Sequence, residues 1–311
     1  MSQEALPRYG GQALVEGVMI RGRTSWAVAL RHRDGSIVGE SGLLPEATGW
    51  RQLPVLRGMA ILGSQLTMGW RLLSLSSVVK MYGDRRPMPR HVTLTSVLIA
   101  LTISIGAFVV LPMLATERSP DSGPLVRLAE GALKFGALVA YIAFVSRLPS
   151  VRRVFSFHGA EHMAIHAHEH GRPLTVEQAA GFSPAHPRCG TAFLVILALT
   201  DTLILALLPR FGLVPDLTLR ILGLPLLAGV AYELLRFGAY RPGAAGVLNR
   251  IGMLSQKVTT AQPTEDQLEV ALSALQLVLR AEGRPLPAGS REYIVQPIPE
   301  IAPQLRPLPA P

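Results

Sequence analysis

Residues 157–170 read FHGAEHMAIHAHEH and hold five of the chain's eight histidines, with two glutamates among them. Neutral imidazole is the commonest protein ligand for a transition metal, and its ordinary pKa near 6.5 also suits proton transfer. His158-Gly-Ala-Glu161-His162 fits the pattern H-x-x-E-H. In that pattern two histidines four apart on a helix bind a divalent metal of zinc type, and the glutamate beside the second activates water. Residues i, i+3 and i+4 share one helical face, so the spacing predicts that His158, Glu161 and His162 converge. The chemistry is metal-assisted hydrolysis, with the histidines as ligands and Glu161 as catalytic general base. A bland alternative is a pair of interfacial histidines bonded to lipid headgroups or backbone. A pattern of five residues also arises by chance in some proteins, so its company matters.

A zinc site requires further ligands, three from protein if it is catalytic. His186 and Cys189 in SPAHPRCGT and Glu233 in AYELLR are the candidates. Glu233 follows His162 by 71 residues, comparable to the distance at which inverted zincins supply a downstream glutamate. Its alternative is an ion pair with Arg236, three positions on; that of Cys189 is a small buried residue. His166 and His170 continue the four-residue spacing, but a helix turns about 40° per such step, so they spiral away from the first pair. They and His168 are expected on a solvated surface. Asp201, in LALTDTLILAL, is an ionisable group in mid-span and so a candidate for a proton or ion path; flanking threonines and a neighbouring helix are the structural alternative.

The elements that must position these residues lie in a membrane. The chain of 311 residues is 49% hydrophobic and only 16% charged, more apolar than a soluble domain of that size. About 20 mostly apolar residues cross a bilayer core, and Val92–Ala115, Leu125–Leu148, Gly190–Leu208 and Leu217–Leu235 qualify, the second interrupted by Arg127, Glu130 and Lys134. Glu130 and Lys134, four apart, are expected to pair on one helix face. Residues 54–81 read as an amphipathic helix on the membrane surface. Arginine and lysine concentrate in the loops around 80–90, 147–188 and 236–257, while 117–124 and 209–215 hold only Arg118 and Arg210. The positive-inside rule then places both termini and the histidine-rich loop in the cytoplasm of a multi-pass protein of the cell's inner membrane.

The soluble parts are small. Residues 9–45 contain two β-prone runs around Asp34-Gly35, a hairpin signal. Thr264 and Gln267 form a capping-box pattern before an amphipathic helix. From Arg284 the chain is proline-rich and is expected to be disordered. The reading is a mainly α polytopic membrane protein: 1–53 β-rich, 54–91 amphipathic helix and basic loop, 92–148 spans 1–2, 149–189 metal-motif loop and helix, 190–236 spans 3–4, 237–283 helical, 284–311 tail. Cys189 is the single cysteine, so no intrachain disulfide forms. The N-terminus lacks the pattern of a cleaved signal peptide. The net charge of +9 is distributed by loop, without a nucleic-acid module, which leaves the lipid bilayer as partner and excludes nucleic acid. No repeat of fixed period occurs. The substrate is unspecified, and a homo-oligomer is compatible with the sequence.

The segments GGQALVEGVMIRG, FHGAEH, HPRCGTAFL, AYELLR and VTTAQPTEDQLEVA together resemble the YqhQ-like family of bacterial membrane proteins, a domain of unknown function labelled a predicted metal-dependent enzyme. The resemblance spans about residues 9 to 280 and rests on the conjunction of motifs. It implies a multi-span membrane protein with the metal motif as its signature, and it singles out Glu16, His158, Glu161, His162, Glu169, His186, Arg188, Cys189 and Glu233. His166, His168 and Met163 depart from the family's pattern, and Asp201 is no part of it. The leading expectation is a zinc-dependent membrane hydrolase facing the cytoplasm. The alternative is a noncatalytic scaffold or assembly factor with a structural metal. A metal or proton transporter would need more polar residues along its spans.

Overall fold

The computed structural model describes residues 9–46, 49–117, 123–187, 189–209, 211–240 and 253–300. The chain is mainly helical with one small sheet. Strands β1 (Gly10–Leu14), β2 (Gly17–Arg21), β3 (Ser25–Arg31) and β4 (Ile37–Leu43) form an antiparallel meander, and β5 (Gln296–Pro297) joins β4 in parallel. The Asp34-Gly35 hairpin is present: Gly35 takes φ 89°, which glycine adopts without penalty, and the Ser36 N–H donates to Asp34 Oδ1 at 2.8 Å.

Both faces of this sheet are covered, which explains why GVMI and WAVAL are apolar throughout instead of alternating. Leu14, Met19, Val28, Leu30 and Val38 pack with Leu72 and Val79 of α1 (Leu56–Tyr82). Val18, Ile20, Ala27, Ala29 and Ile37 face α5 (Pro149–Glu169) and α10 (Glu265–Ala281), meeting Phe157, Met163, Leu268, Leu272 and Leu275. Regions read separately as 1–53, 149–189 and 237–283 thus share one core. The expected capping box holds, with Thr264 N–H donating to Gln267 Oε1 at 3.0 Å. The helix it opens is buried on nearly every side, and each fully buried leucine contributes about 1.5–3 kcal/mol of transfer free energy.

Two expectations are corrected here. Residues 284–300 are not a loose tail: Gln276 donates its side-chain amide to Arg291 O, the Tyr293 N–H donates to Gln276 Oε1 at 3.3 Å, and Ile298 enters the core. Proline is compatible with an edge strand, and this segment covers the open edge of β4. Residues 301–311 lie outside the described residues. Helix α1 is no isolated surface helix either. Its C-terminal half packs on the sheet and its N-terminal half on α8 (Leu213–Tyr240), where a Cβ on Gly58 would lie 2.9 Å from Tyr232 Cβ.

The apolar helices match the stretches read from the sequence. Helix α2 (Arg90–Ile105) continues through a π-helical turn into α3 (Leu111–Glu117), giving a 27-residue span Arg90–Thr116; α4 (Pro124–Val145) has 22 residues and Leu213–Phe237 of α8 has 25. Helix α7 (Gly190–Ala206), following the short α6 (Val176–Ala180), is apolar but has 17 residues. Among the described residues, three helices long and apolar enough to cross a bilayer and a shorter apolar helix mark a membrane protein. The charges within them pair mainly across helices, with one i,i+3 pair along α4. Glu130 meets Arg220 of α8 and lies 3.8 Å from Arg127, which reaches Asp216 at 2.8 Å; Lys134 pairs with Asp201. Packing brings the partner from a neighbouring helix closer than the one four residues away. Asp201 has its partner in Lys134 of α4, in place of the flanking threonines.

Candidate metal centre

Helix α5 begins with Pro149 in its first turn, where a missing N–H is harmless, and carries the H-x-x-E-H residues in its middle. Gly159, inside that motif, decides what can approach. A Cβ there would run into the carbonyl oxygen of Ala261 and lie 3.1 Å from Pro184 Cβ. The bare backbone lets two distant segments close on the helix, tied by Ala261 N–H to Phe155 O at 3.0 Å. Their carbonyls then reach the rings: Thr259 O lies 2.8 Å from His158 Nδ1, and Pro184 O lies 2.6 Å from His162 Nδ1. A carbonyl only accepts, so each Nδ1 carries a proton, and Nε2 is the nitrogen left to offer a lone pair to a metal.

Those lone pairs converge on Cys189. His158 Nε2 lies 3.1 Å from Cys189 Sγ, the two rings stand 4.4 Å apart, and the donor atoms of His158, His162 and Cys189 all lie within 4.8 Å of one another. Cys189 caps the start of α7, its sulfur accepting from Thr191 N–H at 3.4 Å. Burial holds the His162 pKa below its ordinary value, ahead of the opposing effect of Cys189, and so keeps the ring in its ligating neutral form. Two imidazoles and a thiol suit zinc, with carbonyls fixing the histidine tautomers from behind. Among the sequence candidates for a third ligand, the fold brings Cys189 to the pair.

Glycine at 159 makes this testable. Gly159→Ala should displace residues 184 and 261, misalign both rings and weaken zinc binding about 10- to 100-fold, the usual range for losing groups that orient a ligand. A chelator-competition titration measures it. Unchanged affinity would mean that the carbonyls do not orient the rings.

Glu161 does not converge with the histidines as the spacing suggests. It is buried, and its carboxyl rests on β1, accepting the Gly11 N–H; a Cβ on Gly11 would lie 2.9 Å from its Cδ. Successive helix positions differ by about 100°, so Glu161 turns to the sheet while His162 turns to the 184–189 segment. Burial raises its pKa to about 7, against smaller lowering effects from His158 and Gly11. Its proton therefore exchanges near neutrality.

The remaining candidates fall elsewhere. Glu233 is bound by Arg57 of α1 through both carboxylate oxygens, Nε to Oε1 at 2.7 Å, and also accepts from Val55 N–H at 3.4 Å. It does not join the histidines; the fold supplies a cation from α1, and Arg236 adds a smaller electrostatic contribution. His186 sits with His166 and Glu169, not with His158. His168, expected on the surface, is 4% exposed and packs edge-on to Tyr9 at 5.1 Å. Its ring nitrogens have no hydrogen-bond partner among the described residues, and burial lowers its pKa. His170 is exposed, as the spacing suggests. Arg188 lies outside the described residues.

Glu16 joins the elements around the site. It occupies the second turn position between β1 and β2 at φ 57°, where glycine is usual, and accepts from Lys80 at 2.7 Å and from Arg153 at 2.6 and 2.5 Å. Burial alone would raise its pKa, but these two cations hold it below the ordinary value. Sequence reasoning missed Thr259, Pro184 and Gln256, whose roles depend on backbone atoms or distant contacts. Gly159 was the available signal, since glycine inside a helix implies close approach.

The family described as "Protein of unknown function (DUF1385)" matches residues 53–281. The chain belongs to this family. It is similar to "Uncharacterized protein YqhQ" of Bacillus subtilis (strain 168), 30% identical over 301 residues, covering 89% of this chain and 93% of that protein. No solved structure matches. The family match contains all of α5, Cys189 and residue 259, while strand β1, against which Glu161 packs, precedes it.

Proposed function

We propose that the protein is a metal-dependent membrane enzyme of hydrolytic type, with a zinc-class ion held by His158, His162 and Cys189 on the cytoplasmic side of the inner membrane. The observation that carries this reading is the pair of imidazoles whose Nδ1 atoms are committed to Thr259 O and Pro184 O, leaving both Nε2 atoms beside one thiol. Three protein donors leave a fourth position for water or substrate, the arrangement of catalytic zinc sites. When bound, the ion supplies Lewis acidity toward water or a carbonyl or phosphoryl oxygen. Glu161 packs on β1, not among the donors, but feels His158 electrostatically, and its pKa, raised by burial to about 7, suits it to hold or release a proton for the site at neutral pH. The basic loops support the cytoplasmic orientation.

A second reading has its own support: the same histidines tie α5 to residues 184 and 259, so a bound ion would also clamp three segments, as a scaffold requires. Glu161→Gln separates the two. In the enzyme reading this variant keeps its metal and loses most activity-dependent complementation of a deletion strain, because the carboxylate that accepts the proton is gone. In the scaffold reading a nearly isosteric change that removes no ligand leaves complementation intact. A metal-replete, fully complementing Glu161→Gln protein ends the catalytic assignment.

A further inference from the structure

The histidine run continues past the first donor cluster into a second. We infer that His166, Glu169 and His186 form a second divalent-cation site, adjoining the first. Their donor atoms lie within 4.8 Å of one another. His166 and Glu169, three apart on α5, share a face, and His186 comes from the loop between α6 and α7. The His166 and His186 rings stand 4.5 Å apart, and His186 Nε2 is 3.4 Å from Glu169 Oε2.

The tautomer of His166 makes the case for a cation. Its Nε2 lies 3.0 Å from Ala185 O, which only accepts, so Nε2 bears the proton and Nδ1 is a bare lone pair. That Nδ1 is buried without a hydrogen-bond partner. A buried acceptor left unmet is unfavourable, and a metal ion would satisfy it. The opposite ligand is equally fixed in place. His186 is clamped by Gln256 of α9 (residues 253–259), its N–H donating to Gln256 Oε1 and its carbonyl accepting from Gln256 Nε2, both at 2.8 Å.

Two imidazoles and one carboxylate make a donor set used for zinc, with less sulfur character than the first site and hence more tolerance of manganese or iron. The two sites adjoin, since the His162 and His186 rings are 5.5 Å apart. The second site stands on its own donors and holds whether or not the first is catalytic.

Cobalt(II) alone is the probe, added to the chelator-stripped full chain in detergent. Wild type should bind two equivalents, one of them with an intense thiolate-to-cobalt band in the near ultraviolet. His166→Asn should bind one equivalent and keep that band, and Cys189→Ser should bind one and lose it. Glu169→Gln, which leaves both histidines in place, should reproduce the loss of the second equivalent if His166→Asn folds poorly. Saturation of wild type at one equivalent, with neither His166→Asn nor Glu169→Gln changing it, overturns the second site while leaving the first. A single equivalent lost in His166→Asn and kept in Cys189→Ser would sustain the second site and overturn the first.

Discussion

Replacing His162 by alanine should lower zinc affinity by about 100-fold or more, since even loss of a group that merely orients a ligand reaches that range. His162 is 2% exposed, supplies one of three clustered donors, and has its ring fixed by Pro184 O. Removing it leaves two donors, a number that zinc sites do not use. A buried residue also contributes packing, so the comparison that isolates ligation is His168→Ala. His168 is buried too but belongs to neither donor cluster. The His168 variant should unfold more easily in the metal-free state and retain wild-type zinc affinity. Equal loss of zinc from both variants in a competition titration would show that packing, not ligation, controls the metal.

The second large effect lies among the spans. Glu130→Ala should destabilise the protein by about 3–5 kcal/mol, because removing one partner strands buried charge. Glu130 is 2% exposed; its carboxylate meets Arg220, itself 8% exposed, with Arg127 at 3.8 Å. Arg127 keeps Asp216 at 2.8 Å, but Arg220 would face an apolar interface without its carboxylate. Changing Glu130 and Arg220 together to leucine should recover most of the loss, since a well-packed apolar pair often replaces a buried ion pair at little cost. Thermal unfolding in detergent measures both. A Glu130→Ala protein as stable as wild type would mean that water or lipid headgroups reach this cluster.

The structure bears out the apolar stretches, the Asp34-Gly35 hairpin and the Thr264 capping box, and each was legible for a local reason. Hydropathy over about 20 residues, a turn dipeptide and a four-residue cap depend on neighbours in the chain. The spacing of His158 and His162 was legible in the same way, because four residues nearly complete a helical turn. What those residues face was not. The direction of Glu161 toward Gly11, the pairing of Glu233 with Arg57, and the burial of His168 against Tyr9 depend on segments 150, 176 and 159 positions away.

The proline-rich segment from Arg284 shows the same division. Its composition rules out a helix, and from composition alone disorder follows; only the open edge of β4 gives an extended chain somewhere to pair. By itself the sequence determined the apolar helices, the Asp34-Gly35 hairpin and the capped C-terminal helix, and which residue types could ligate a metal. Tertiary structure alone decided that Cys189 joins His158 and His162, and that His186 joins His166 and Glu169. Periodicity specifies which face of its own helix a side chain occupies, whereas a binding site is made where faces from separate elements meet, and that meeting is set by packing of the whole chain.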